Sequence, residues 1–164
     1  MKMLFVLFLA ALSLSAFAEN TADIAARIKA REAAKQTGVF TQHTKTGTGY
    51  VKFDHTKNDG KFTITDGSKT FVTAWSGCGP GKIYAYREQN GLIGYKEGYG
   101  NFPRQASEFE RVLDFSNRLA VVNVGDVVLF VNAKGDFLAV HLLAVKYVDR
   151  GDNEYCVEFE YKIY

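Results

Sequence analysis

The pattern of hydrophobic and polar positions divides the chain into three stretches. The first runs almost continuously apolar from Met3 to Leu14, and residues 19–38 are polar and rich in alanine. From about residue 39, short alternating segments are separated by Gly, Asn and Asp. Apolar residues at every second position indicate half-buried strands, and such breaks indicate turns. The pattern therefore predicts a β domain over residues 39–164, preceded by two short N-terminal segments.

The first stretch has the features of a cleavable secretory signal, which we assign to residues 1–18. Lys2 supplies a positive charge, an apolar run follows, and Ala16-Phe17-Ala18 has the small-x-small pattern that signal peptidase recognises. The apolar run is shorter than the ~20 residues that a membrane-spanning helix needs. We therefore expect cleavage after Ala18 and an exported protein, periplasmic or extracellular, with no membrane span in its mature form.

The second stretch, residues 19–38, predicts an N-terminal helix. Asn20 or Thr21 can cap its start, and Gly38 stands where a C-terminal glycine often ends a helix. Ile24 and Ile28 lie one turn apart and form only a thin apolar stripe. We expect a solvated helix that packs through these two residues. A helix that binds a membrane surface or a partner is the less favoured alternative, because its apolar face is weak.

The third stretch contains about eight segments that are predicted strands, joined by short turns such as Asp59-Gly60 and Asp66-Gly67. We expect Asp59-Gly60 to close a hairpin, because this dipeptide tolerates positive φ. Residues 101–118 are irregular, with one helical turn near residues 107–111. Successive strands without intervening helices predict a mainly β fold, an antiparallel β-sandwich or partly open barrel with one N-terminal helix. The strand segments are residues 50–54, 61–65, 69–76, 82–87, 91–96, 127–131, 137–148 and 155–164.

Aromatic residues concentrate in one part of the predicted β domain, among Gly and Asn. If Ile83 and Ala85 face the core, alternation places Tyr84 and Tyr86 on the opposite, exposed face. Aromatic faces with polar rims suit the recognition of glycans or proteins. Packing against a second sheet is the alternative, and it is favoured for Trp75. The candidates for ligand binding are Tyr84, Tyr86, Tyr95, Tyr99 and Trp75.

Charge and motifs exclude several classes of function. Lys and Arg number 20 against 18 Asp and Glu, and Lys2 leaves with the signal, so the mature chain is close to neutral. A nucleic-acid partner, which needs a basic face, is therefore not expected. Residues 77–82 resemble a phosphate loop, but Ser76 and Ile83 stand where that motif needs Gly and Ser or Thr. We predict no cofactor and no metal site.

Two cysteines, Cys78 and Cys156, remain to be explained. An even number of cysteines in an exported chain indicates a disulfide, which a chain-entropy argument credits with ~4 kcal/mol for a loop of this length. We expect Cys78 and Cys156 to pair with each other. Two free thiols, or pairing with another chain, are the alternatives.

Two arrangements could support catalysis, although we assign no catalytic residue. Cys78 could act as a nucleophile with His141 as its base, or with His43 or His55. The sequence around Cys78 carries no local signature of such a site. His141 lies within an apolar strand, where a core or strand-face histidine is the more common outcome.

The second arrangement is Glu158 with Glu160, which share a strand face and resemble the paired carboxyls of glycosidases. Any two residues that are two apart on a strand have this spacing, so a solvated face is the stronger interpretation. The sequence therefore favours an exported, non-enzymatic binding or interaction module for glycan or protein ligands. A small exported hydrolase or an exported protein inhibitor is the alternative, and the oligomeric state is left open.

Residues 50–164 also resemble a small β-module of uncharacterised bacterial proteins. No activity is known for such modules. The resemblance therefore implies a self-contained bacterial domain and assigns no functional residue. The landmarks that carry it are Phe53-Asp54, Phe71, Trp75-Ser76, Ile83-Tyr84, Asp114-Phe115-Ser116, Arg118, Val124-Gly125-Asp126, Arg150-Gly151-Asp152, Phe159, Tyr161 and Ile163.

Overall fold

The alternating segments form ten strands in the computed structural model, which describes residues 40–164. The predicted signal and the predicted N-terminal helix lie outside these residues. Helix α1 (Ser107–Val112) confirms the expected helical turn. Within the described range no helix has the length and apolar character needed to cross a membrane. The strands are β1 (Thr41–His43), β2 (Thr48–Phe53), β3 (Lys61–Thr65), β4 (Thr70–Gly79), β5 (Lys82–Tyr86), β6 (Leu92–Tyr95), β7 (Leu119–Asn123), β8 (Val127–Val131), β9 (Phe137–Lys146) and β10 (Cys156–Ile163).

The strands form two five-stranded sheets that pack face to face. The first sheet has the order β1-β3-β4-β5-β7, and the second has the order β2-β10-β9-β8-β6. Neighbouring strands are antiparallel except for β1 and β3, which pair in parallel. The predicted antiparallel sandwich is confirmed, and the sheets do not close into a barrel. Strands β1 and β7, which the sequence pattern did not predict, are the two edges of the first sheet.

The main core lies between the sheets and follows the alternation of the sequence. In β5, Ile83 and Ala85 are fully buried, whereas Tyr84 and Tyr86 face outwards. Strand β8 is apolar at every position, and both of its faces are covered. Its Val128 and Phe130 point into the main core. Its other three residues pack in a second cluster with Phe109 and Leu113, from α1 and the residue after it.

The expected hairpin at Asp59-Gly60 is wrong, although the chain does turn there. Asn58, Asp59 and Gly60 have φ values of 50°, 52° and 69°, which reverse the chain within one short turn. The flanking strands do not pair with each other, since β2 pairs with β10 and β3 pairs with β1 and β4. The turn carries the chain from one sheet to the other, so that both apolar strand faces cover the same core.

The expected disulfide is also wrong, because Cys78 and Cys156 are both free thiols. The thiol of Cys78 lies beside the Tyr84 hydroxyl, on the outer face of the first sheet. The thiol of Cys156 lies 3.7 Å from a carboxylate oxygen of Glu158, on the outer face of the second sheet. The two side chains point away from each other across the core, which prevents the geometry that a disulfide requires.

Candidate ligand-binding surface

Two of the five aromatic candidates, Tyr84 and Tyr86, lie together on the outer face of the first sheet. Their ring centroids are 6.3 Å apart and the rings are tilted by 46°. In the neighbouring strand β7, Val121 stands opposite Tyr84 and Leu119 stands opposite Tyr86. These two apolar side chains are 37% and 39% exposed, respectively. We call this part of the outer face, made of Tyr84 and Tyr86, the tyrosine face.

The other three aromatic candidates are not part of the tyrosine face, and each makes structural contacts. Trp75 is 1% exposed and belongs to the main core. The Tyr95 hydroxyl donates a 2.7 Å hydrogen bond to Asp126, and burial together with this bond raises the pKa of Tyr95. Tyr99 packs against the second apolar cluster. The alternation along each strand could predict that Trp75 faces the core and Tyr84 faces outwards. It could not predict the contacts of Tyr95 and Tyr99, because their partners are distant in the sequence.

A cleft of about 420 Å³ opens beside the tyrosine face, where strand β4 ends. Its walls come from β4, from the turn after β2 and from the chain on both sides of the turn after β9. The Tyr147 hydroxyl accepts a hydrogen bond from the Cys78 N–H and donates one to the Lys82 carbonyl, which fixes the two sheets together here. The lining residues are His55, Thr56, Ser76, Gly77, Cys78, Gly79, Tyr147, Asp149, Arg150 and Tyr155.

Two residues join the cleft to the tyrosine face. The Ser76 hydroxyl lies 2.8 Å from the Tyr86 hydroxyl. The Cys78 thiol lies beside the Tyr84 hydroxyl, and this contact raises the pKa of Tyr84. Ser76 and Cys78 also line the cleft. The cleft and the tyrosine face therefore form one continuous surface of aromatic rings, hydroxyls and a thiol.

His55 is the only one of the three candidate bases that shares this cleft with Cys78. His43 is exposed on β1, and His141 lies on β9 of the other sheet with its Nε2 3.1 Å from the Gly125 carbonyl oxygen. The alternative in which His141 acts as the base for Cys78 is therefore excluded, because the two residues are on different sheets. The sequence could not select among the histidines, since each is remote from Cys78 along the chain.

The environment of His55 favours its neutral form. The residue is 5% exposed, and its ring has T-shaped contacts with Tyr147 and Tyr155, with centroid distances of 5.3 and 6.0 Å. Its Nε2 is buried without a hydrogen-bond partner. Burial lowers the pKa of His55, and a hydrogen bond with the Lys146 carbonyl opposes this effect only in part. A charged imidazolium at this position would therefore be costly.

We expect the free energy of unfolding to fall as the pH drops from 7.5 to 5.5, in part through His55. The unfolded chain binds a proton at His55 near pH 6.5, whereas the folded chain binds it only at a lower pH. Between these two values the unfolded state holds more protons, so acid destabilises the fold. Chemical denaturation at several pH values in this range should show that the free energy of unfolding of His55→Gln depends less steeply on pH than that of the wild type. The exposed His43→Gln is the matched control and should keep the wild-type slope; equal slopes for all three proteins would contradict this role.

The carboxylates proposed as a catalytic pair lie on the outer face of the second sheet, away from the cleft. Glu158 accepts a 2.6 Å hydrogen bond from Tyr50, and its carboxylate lies 3.5 and 3.8 Å from the ammonium groups of Lys52 and Lys146. Burial alone would raise the pKa of Glu158, but these partners lower it overall. A glycosidase needs one carboxyl group with a raised pKa as its general acid, which Glu158 does not provide.

The same region contains three potential metal-ligand atoms, from Glu154, Cys156 and Glu158, all within 4.8 Å of one another. The ammonium groups of Lys52 and Lys146 already neutralise the carboxylates, with distances of 2.5 and 3.3 Å to Glu154. Burial raises the pKa of the Cys156 thiol to about 12, which opposes the thiolate form that binds metals. We therefore assign this group as an ion-pair network.

No protein-family model matches the sequence, and no curated protein or solved structure matches it. The resemblance to a bacterial β-module therefore stays a prediction.

Proposed function

We propose that this domain is an exported, non-enzymatic binding module that holds a glycan along the tyrosine face and the adjoining cleft. The observation that carries the proposal is the double role of Ser76 and Cys78. Each lines the cleft and also contacts a tyrosine of the neighbouring face. A ligand that is longer than one ring can therefore contact the cleft and the two tyrosines at the same time.

The chemistry of the surface suits a carbohydrate. A sugar ring has an apolar face and a rim of hydroxyls, so it needs an aromatic ring beside donors and acceptors. The tyrosine face supplies the rings, the Ser76 hydroxyl can donate or accept, and Arg150 and Asp149 in the cleft supply a charged donor and acceptor. The cleft volume of about 420 Å³ also falls within the roughly 300–1,000 Å³ typical of ligand sites.

A glycan array followed by calorimetric titration of the best ligand tests this proposal. We expect the double variant Tyr84→Ala, Tyr86→Ala to bind at least about tenfold more weakly, because it loses both stacking surfaces. Both residues are only partly buried, so the melting temperature should change little. The matched control is Leu92→Ala, which removes a 45% exposed side chain from the second sheet and should bind like the wild type. Unchanged binding by the double variant would exclude this surface.

A second candidate function is a small thiol-dependent hydrolase, supported by the presence of Cys78 and the neutral His55 in one cleft. Cys78 would be the nucleophile and His55 the base. Alkylation of the purified protein distinguishes the two functions. Loss of a hydrolytic activity on alkylation, and its loss in Cys78→Ser, would support the enzyme. Intact glycan binding by Cys78→Ser would support the binding module, since a hydroxyl at this position also donates a hydrogen bond.

A further inference from the structure

Exposed apolar side chains are concentrated on the two strands that border one side of the sandwich. Five large hydrophobic residues in the described range are clearly exposed, and Val148 is the only one away from this side. Leu92 lies on β6, Leu119 and Val121 lie on β7, and Val124 follows β7 directly. Strand β7 carries no charged residue or proline, which are the usual protection of a sheet edge. The edge of the first sheet at β7 is therefore suited to pairing.

The register of β7 shows which of its backbone groups point away from the sheet. Arg87 N–H donates to the Arg118 carbonyl, and Val124 N–H donates to the Gly81 carbonyl. The backbone groups of the even-numbered residues between 118 and 124 therefore form the hydrogen bonds to β5. In an antiparallel ladder the alternate residues direct their N–H and C=O groups to the other side. In β7 these are Leu119, Val121 and Asn123.

One end of this outer edge is already engaged. The Asn123 carbonyl accepts a hydrogen bond from Asp126 N–H, and the Asn123 side chain lies 3.1 Å from the Tyr95 hydroxyl. Leu119 and Val121 border a groove of about 120 Å³ between β7 and β6, and their side chains remain exposed. The positions suited to pairing with another strand are therefore these two residues.

We propose that β7 of a second copy of this chain pairs with this edge in antiparallel orientation, with Leu119 opposite the partner's Val121. A two-fold axis beside Ala120 makes the contact reciprocal, because Val121 then stands opposite the partner's Leu119. The four outward N–H and C=O groups of each copy form four hydrogen bonds across the edge. The first sheet of one copy and the first sheet of the other copy, each of five strands, then join into one continuous sheet.

A second copy fits this edge better than the chain's own N-terminal segment. In the proposed register each leucine contacts a valine of the other copy on the outer face, and no charged residue of β7 opposes another. Residues 19–39 carry many charges and lack the alternation of a strand. The inference does not depend on the proposed glycan ligand, since the paired edge lies beside the tyrosine face and does not include it.

Sedimentation velocity of the purified protein over a concentration series tests the proposal. We expect a concentration-dependent dimer, and at least about tenfold weaker association for Val121→Lys, which places a charge in both of the reciprocal contacts. The control Val148→Lys alters a residue that is 47% exposed outside the strands and should associate like the wild type. A wild type that stays monomeric up to its solubility limit, or an equally stable dimer of Val121→Lys, would overturn the proposal.

Disulfide trapping tests the register independently of affinity. In a Cys78→Ser background, the double variant Leu119→Cys, Val121→Cys places two cysteine pairs across the interface, where Cα atoms about 5.5 Å apart allow a disulfide. We expect oxidation to give a covalent dimer. Val121→Cys alone should cross-link far less, because its symmetry mate is a diagonal neighbour. Equal cross-linking of the single and double variants would contradict this register.

Discussion

Replacement of Trp75 by alanine is expected to lower the free energy of unfolding by about 3–5 kcal/mol. The Trp75 ring stacks on Phe159 with a centroid distance of 5.4 Å and meets Phe130 edge-on at 5.4 Å. Its indole N–H donates a 2.8 Å hydrogen bond to the Thr73 hydroxyl, which is also buried. The variant therefore leaves a large cavity between the two sheets and removes the donor to a buried hydroxyl.

Urea denaturation followed by circular dichroism measures this loss without relying on tryptophan fluorescence. Trp75→Phe should retain part of the stability, because it keeps an aromatic ring in the stack. It also keeps the experiment informative if the alanine variant does not fold. The control Tyr86→Ala removes a half-buried ring from the outer face of the same sheet and should cost far less. Similar losses for Trp75→Ala and Tyr86→Ala would show that the stack does not hold the sheets together.

Replacement of Gly60 by alanine is the second change with a large expected effect, a loss of about 2–4 kcal/mol. A Cβ atom at Gly60 would clash with the Trp75 carbonyl oxygen, so the backbone of β4 or of the turn would have to move. Gly60 also has a φ of 69°, which side-chain-bearing residues adopt with strain. The substitution therefore disturbs the turn that carries the chain between the sheets.

Gly67→Ala separates the two causes of this loss. Gly67 has a φ of 95°, but nothing lies within 4 Å of the position where its Cβ would be. This variant has the backbone strain without the close contact, so we expect a smaller loss of stability than for Gly60→Ala. Thermal unfolding of both variants under the same conditions measures the difference. If Gly67→Ala is as unstable as Gly60→Ala, the contact with Trp75 contributes nothing.

The sequence predicted where most strands lie but failed where the partners are distant along the chain. Alternation located β5 and showed that Tyr84 and Tyr86 share its outer face. The same reasoning placed a hairpin at Asp59-Gly60, because turn residues indicate a reversal and not which strands then pair. Strand pairing depends on contacts such as Val157 with Phe53, which are more than one hundred residues apart.

The sequence was limited in the same way in predicting which residues meet in the candidate site. The sequence identified Cys78 and three histidines but had no basis for choosing His55, which reaches the cleft only because the turn after β2 packs against Tyr147. It also expected a disulfide between two cysteines that the sandwich places on opposite outer faces. The thiol of Cys156 instead lies among Glu158 of its own strand and Lys52 and Lys146 of the two neighbouring strands.

The sequence by itself determined the mainly β class, the position of most strands and the inward or outward direction of their side chains. These features follow from the alternation of side chains along a strand, which repeats every two residues and can therefore be recognised within a short segment. Only the tertiary structure decided which sheet each strand joins, which histidine meets Cys78 and which tyrosines stay accessible. Those outcomes depend on packing between residues far apart along the chain, and export remains a prediction from the N-terminal pattern. The physical reason is that a sheet face becomes a core or a surface only when another layer covers it or leaves it open.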